Sequence, residues 1–132
     1  MRQLDELALR TLSELEEAGE ENIPTILNSI LEPAGASEQL LVVKQSLEDL
    51  IDAGLVSIAI ERDPSRRWKP LPQDKALEIT GRMASEITYR KADNHWTFVG
   101  SARPQLVITQ DGRIEASRVL RERGTGWWRA ER

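Results

Sequence analysis

An α+β fold is what this 132-residue sequence predicts, on three observations. Apolar stripes at helical spacing fill the first 54 residues, and the third of them ends at Gly54 and runs directly into an alternating stretch at 55–60. Further on, strand-like phrases return at 87–99 and 106–108, the last of them opening another helix.

Each element has its own local reason. Leu4, Leu7, Ala8, Thr11, Leu12, Leu15 and Ala18 recur at three- and four-residue steps, which makes a first helix that Gly19 ends. Glu14, Glu16, Glu17 and Glu20 fall on its other side and read as solvated surface. Asn22 is a good N-cap for a short second helix that tolerates Pro24 in its first turn and stops before Glu32-Pro33. Ser37 is expected to cap the third helix, with Leu40, Val43, Leu47, Leu50, Ile51 and Gly54 inward. Glycine just past a helix can adopt the left-handed conformation that closes the last turn, so Gly54 redirects the chain. Residues 55–60 follow as a strand with Val56, Ile58 and Ile60 on one face, and Asp63-Pro64-Ser65 form a turn. From Gln73 the pattern suits a helix with Leu77, Met83 and Ile87 inward, interrupted by Gly81. Residues 87–90 and 95–99 make a hairpin around 91–94. Thr109 caps a last helix over 111–122 that carries Ile114, Ala116, Val119 and Leu120.

Composition narrows the class of protein. A chain of this length can bury most of its apolar surface in one core, and 39% apolar with 30% charged residues is a globular rather than a disordered balance. One domain over 1–132 is expected: a helical part to 54, strands and an inserted segment over 55–109, and a C-terminal helix and tail over 110–132. The longest apolar run is the four residues 40–43, too short to span a bilayer, and MRQLDELALR lacks a signal peptide's apolar core. A cytoplasmic protein is the expectation, consistent with the absence of cysteine. Charge divides unevenly. Residues 1–60 hold three bases against twelve acids, a balance of −9, whereas 61–132 hold fifteen bases against ten acids, +5. An anionic partner would therefore meet the second half.

The phrases VKQSLEDLIDAGLV (43–56) and LVITQDGRIEASRVLRERG (106–124) resemble those of winged helix-turn-helix proteins, particularly transcriptional regulators of the MarR and PadR type. In such regulators the third helix closes in Gly-Leu-Val, matched here by Leu47, Leu50, Gly54, Leu55 and Val56. The wing returns into Leu-Thr-x-x-Gly-Arg, matched by Ile108, Thr109, Gly112 and Arg113. The resemblance covers residues 4–60 and 105–123 and implies three N-terminal helices, a β-wing and a C-terminal helix. It also departs from the family, because about forty-five residues separate the two phrases where a wing has some ten to twenty. Either the wing carries an insertion or the second phrase belongs to another part of the fold.

The function implied by the resemblance is a DNA-binding transcriptional regulator, working as a homodimer on double-stranded DNA with its third helix in the major groove. On that reading Gln39, Lys44 and Gln45 read bases, while Arg62, Arg66, Arg67 and Lys69, clustered around Trp68, contact phosphates. Four such contacts would give a salt slope of about −3.6, at roughly −0.9 each. The outward face of the third helix argues the other way, since Glu48 and Asp49 would be repelled by phosphates and Leu41 and Val42 exceed what the inward stripe needs. The alternative is a winged-helix module for protein interaction or dimerisation, using Leu41, Val42, Glu48, Asp49 and the paired Trp127 and Trp128. Packing of that tryptophan pair within its own domain is the simpler expectation. Catalysis has no comparable support, and no cofactor or metal is implied. His95 is the only histidine, RGTGW lacks the features of a phosphate loop, and Ser29, Ser46 and Ser101 sit in no nucleophile pattern.

Overall fold

Residues 4–62, 65, 68–100 and 103–128 are described by the computed structural model. Asp5 begins the first helix, its Oδ1 accepting the Ala8 N–H at 2.7 Å, and α1 (Glu6–Ala18) runs until Gly19. The same carboxylate accepts the Ser46 hydroxyl at 3.0 and 3.1 Å, which ties the start of α1 to the middle of the third helix. Ala8, Leu12 and Leu15 are fully buried, as the stripe predicts.

A short strand, β1 (Glu20–Asn22), follows where sequence pattern indicates only the end of a solvated helix face. Three polar residues carry no alternation of their own, so this strand exists because a distant one pairs with it. Asn22 then caps α2 (Ile23–Thr25), its Oδ1 accepting the Thr25 N–H at 2.9 Å. The helix widens into a π-helical turn (Ile26–Ile30) before the chain extends at Leu31. The third helix, α3 (Ser37–Asp52), is capped at Ala36 without a side-chain bond, so Ser37 is its first residue rather than its cap. Val43, Leu47, Leu50 and Ile51 are buried along it. At its end Gly54 has φ 77°, and the Gly54 and Leu55 N–H groups donate to Ile51 and Leu50 carbonyls, each at 3.0 Å. That is the left-handed closure that only glycine adopts without strain.

The chain leaves as β2 (Val56–Arg62) and comes back antiparallel as β3 (Trp68–Pro70) with a register shift between Ala59 and Arg62, while the expected turn at Asp63-Pro64-Ser65 falls, apart from Ser65, outside the described residues. Pro70 is tolerated because β3 lies at the sheet edge. Two helices, α4 (Gln73–Gly81) and α5 (Met83–Glu86), precede the hairpin β4 (Ile87–Arg90) and β5 (His95–Phe98), whose Asn94 takes φ 51° in the turn. Finally β6 (Gln105–Ile108) leads through Thr109 into α6 (Gln110–Arg123). The main sheet has the order β1-β6-β2-β3, and β4-β5 form a second sheet. Val56 stands opposite Ile108 and Ala59 opposite Gln105 in an antiparallel ladder, so the late phrase comes back beside the early one. Two strands that are neighbours in the sheet are thus separated in sequence by residues 63–104.

Beyond the Ser37 cap, four inward expectations need correction, one of them Gly54, which is exposed past the end of α3. Ile60 is 44% exposed, while Ser57 and Ala59 are buried, because the first half of β2 is covered on both faces and Ile60 stands outside that cover. Ile114 is 62% exposed, since α6 packs on α1 through a narrow face carrying Ala116 and Val119. On α4 the buried positions are Ala76, Ile79 and Thr80, with Leu77 only half-buried, although Met83 and Ile87 are inward as expected. One apolar cluster runs from Ala8 through α3 and the sheet to the hairpin and Ala116.

Candidate functional site

Packing decides which side of α3 remains available. The helix rests on α1, α4, α5 and β2 through its apolar stripe, and that leaves Leu41 61% and Val42 48% exposed on the outer face. Around them stand exposed Glu38, Gln45 and Asp52 and half-buried Lys44, Glu48 and Asp49. Lys44 Nζ lies 3.3 Å from Glu48, and Gln45 Nε2 donates to Asp49 Oδ1 at 3.0 Å. Both are one-turn pairs along the helix surface, worth a few tenths of a kcal/mol each in general. Four carboxylates against one lysine leave the helix negative.

Gln39 does not belong to this face. Its Nε2 donates to the Glu32 carbonyl at 2.7 Å, and its Oε1 accepts the Ala34 N–H at 3.0 Å and the Trp96 Nε1–H at 3.3 Å. The amide therefore pins the loop before α3 and is engaged within the fold. Of the basic cluster, Lys69 is exposed on β3, and Trp68 is half-buried. Arg66, Arg67 and the Arg62 side chain lie outside the described residues.

The paired tryptophans pack on their own domain, Trp127 half-buried and Trp128 buried. Trp128 is 1% exposed, its Nε1 donating to Glu14 Oε1 at 3.0 Å and its carbonyl accepting Arg10 Nε–H at 2.9 Å. Trp127 donates to Ser13 Oγ at 3.1 Å and lies under the Arg123 guanidinium, 4.4 Å from the ring centre. The tail is a strap across α1 of its own chain. Glu14 and Glu16 are consequently half-buried rather than solvated: the first receives the Trp128 indole, and the second faces Arg113 at 3.7 Å.

Beside this strap, burial raises the Glu21 pKa from 4.5 to about 7, helped by its hydrogen bond with Glu14 and repulsion from Glu14 and Glu20. Thr25 opposes the shift by a hydrogen bond. Another residue missed by sequence reasoning is Asn28, which bonds the hairpin at Trp96. A polar amide set among the apolar residues of Ile-Leu-Asn-Ser-Ile was the available signal.

An open groove of about 430 Å³ lies where Ile51, Val56, Pro70, Leu71 and Gln73 meet. The donors on its walls serve the fold: Ser57 Oγ–H bonds the Leu71 carbonyl at 2.9 Å, and Gln73 Nε2 bonds the Ile51 carbonyl at 2.9 Å. Among the described residues no group of three or more metal-ligating side chains converges, and no helix is long and apolar enough to cross a membrane. No protein-family model, curated protein or solved structure matches this chain.

Proposed function

We propose that the protein is a winged-helix module whose third helix docks a protein partner, specifically a basic amphipathic segment, rather than DNA. The fold part of this reading is supported by the order α1-β1-α2-α3-β2, with β6 returning between β1 and β2 and opening α6. In it β2 and β6 are the wing strands, and residues 63–104 are the insertion that the spacing between the two phrases requires. The two matched phrases also meet in space. Thr109 N–H donates to the Leu55 carbonyl at 3.0 Å and Thr109 Oγ–H to the Gly54 carbonyl at 2.7 Å.

The observation that carries the function is the α3 face itself. Leu41 and Val42 are exposed within a rim of Glu38, Glu48, Asp49 and Asp52, and both polar residues best suited to base contacts, Lys44 and Gln45, are engaged with those acids. Pressed towards phosphates, four carboxylates are repelled. Pressed towards a segment with lysines flanking an apolar stripe, the same groups are complementary, and Leu41 and Val42 lose water.

The second reading is a DNA-binding regulator. Its support is the cluster Arg62, Arg66, Arg67 and Lys69, which falls in sequence around the end of β2 and the start of β3 and could bind phosphate without using α3. One NMR titration separates the two. A Leu/Lys amphipathic 18-residue peptide should shift amide signals of Leu41, Val42 and Gln45, and Leu41→Ser/Val42→Ser should abolish the shifts. Shifts confined to residues 62–69 on adding a random-sequence 16-base-pair duplex, with none from the peptide, would replace the docking reading with the DNA one.

A further inference from the structure

The β4–β5 hairpin is fastened to the helical half of the protein by a side chain that imitates a strand. Asn28, in the π-helical turn, accepts the Trp96 N–H on Oδ1 at 2.7 Å and donates from Nδ2 to the Trp96 carbonyl at 2.9 Å. A backbone nitrogen can only donate and a carbonyl can only accept, so the orientation of the Asn28 amide is determined. Its Nδ2 also lies 3.2 Å from His95 Nε2. Because Nδ2 is a donor, Nε2 must offer a lone pair, which places the proton of the neutral ring on Nδ1. An imidazolium carries N–H on both nitrogens, and donor would then face donor. Reversing the amide does not relieve the conflict, because it would break both bonds to Trp96.

We propose that His95 is a proton-sensitive latch: neutral His95 completes the Asn28–Trp96 clamp that holds the hairpin to the helices, and its protonation loosens that clamp. Histidine is the side chain whose ordinary titration falls between pH 5 and 8. Among the described residues no carboxylate forms an ion pair with His95. Across the hairpin His95 stands opposite Arg90, whose guanidinium pairs with Asp93 at 2.9 Å. β5 packs on α2 and the π-helical turn, and neither carries a charged side chain. The consequence reaches α3 through the Trp96 indole, which donates to Gln39 Oε1 at 3.3 Å. This inference concerns the hairpin alone and does not rest on what α3 docks.

The test uses the full chain and two NMR readouts. At pH 7.5, imidazole nitrogen correlations should show His95 protonated on Nδ1 and bare on Nε2. Lowering the pH to 5.5 should then raise the opening of the Trp96 amide, from hydrogen exchange corrected for intrinsic rate, by roughly three- to tenfold, the effect of one hydrogen bond. His95→Ala should show the higher opening at both pH values, and His95→Gln, which keeps an acceptor, the lower opening at both. Burial raises the Glu21 pKa to about 7, between the two pH values of the test, so the decisive quantity is the difference between wild type and these variants. A proton on Nε2 at pH 7.5, or the same pH response in His95→Gln as in wild type, would overturn the latch.

Discussion

Gly112 shows how much a single position can demand. A Cβ there would stand 2.0 Å from the Leu55 carbonyl oxygen, and that oxygen belongs to backbone already bonded by Thr109. Neither group can yield without opening the junction between β2 and α6. Gly112→Ala should therefore destabilise the protein by about 3 kcal/mol, the upper part of the overpacking range, as read from the urea midpoint. Gly81→Ala is the matched control: open space surrounds it on α4, and a gain of up to about 1 kcal/mol is expected. Glu21 makes a second residue-scale prediction with a definite sign. Its folded-state pKa is raised, so the folded protein binds the proton more tightly than the unfolded chain does. The resulting penalty is fully present above pH 7 and gone below pH 4.5. Thermal melts should accordingly show Glu21→Gln to be more stable than wild type at pH 8, with the advantage shrinking as the pH falls towards 4.5. A difference of constant size across that window would show that Glu21 is not the group responsible.

Among the elements, the C-terminal strap and α3 make opposite predictions. The strap is held by burial, two indole hydrogen bonds, the Arg10 bond to the Trp128 carbonyl and a cation–π contact. Trp128→Ala should lower stability by about 3–5 kcal/mol. Trp128→Phe keeps most of the packing but removes the bond to Glu14, and about 1.5 kcal/mol is expected from chemical denaturation. If both variants matched wild type, the strap would not be part of the folded core. The outer face of α3 has the reverse character. Leu41→Ser/Val42→Ser should leave the urea midpoint within about 0.5 kcal/mol of wild type, because these side chains already meet water. A large loss of stability would mean that the face is covered by another part of the molecule.

At the scale of the whole molecule, β6 separates what was legible from what was not. Residues 105–108 lie far along the chain from β2 and β1, yet they sit between those two strands in the sheet. The hairpin, the turn at Asn94, the closure at Gly54 and the Thr109 cap could all be read in advance, because each depends on residues within a few positions of one another. The buried stripes of α1 and α3 were legible for the same reason, as helical spacing is a local property. β1 and β3 were not, since three-residue strands are defined by the partner that bonds them. Nor was the internal engagement of Gln39, because the groups that claim its amide are the carbonyl and N–H of a preceding loop and an indole 57 residues away. The acidic, partly apolar face of α3 was present in the sequence as a pattern, and tertiary packing decided that it stays uncovered. By itself, then, the sequence determined the helices, the turns and the distribution of charge, all of which arise from neighbouring residues. Which strands pair, which polar groups are consumed internally and which tryptophans are buried was decided only by tertiary structure, because those outcomes depend on contacts between distant parts of the chain.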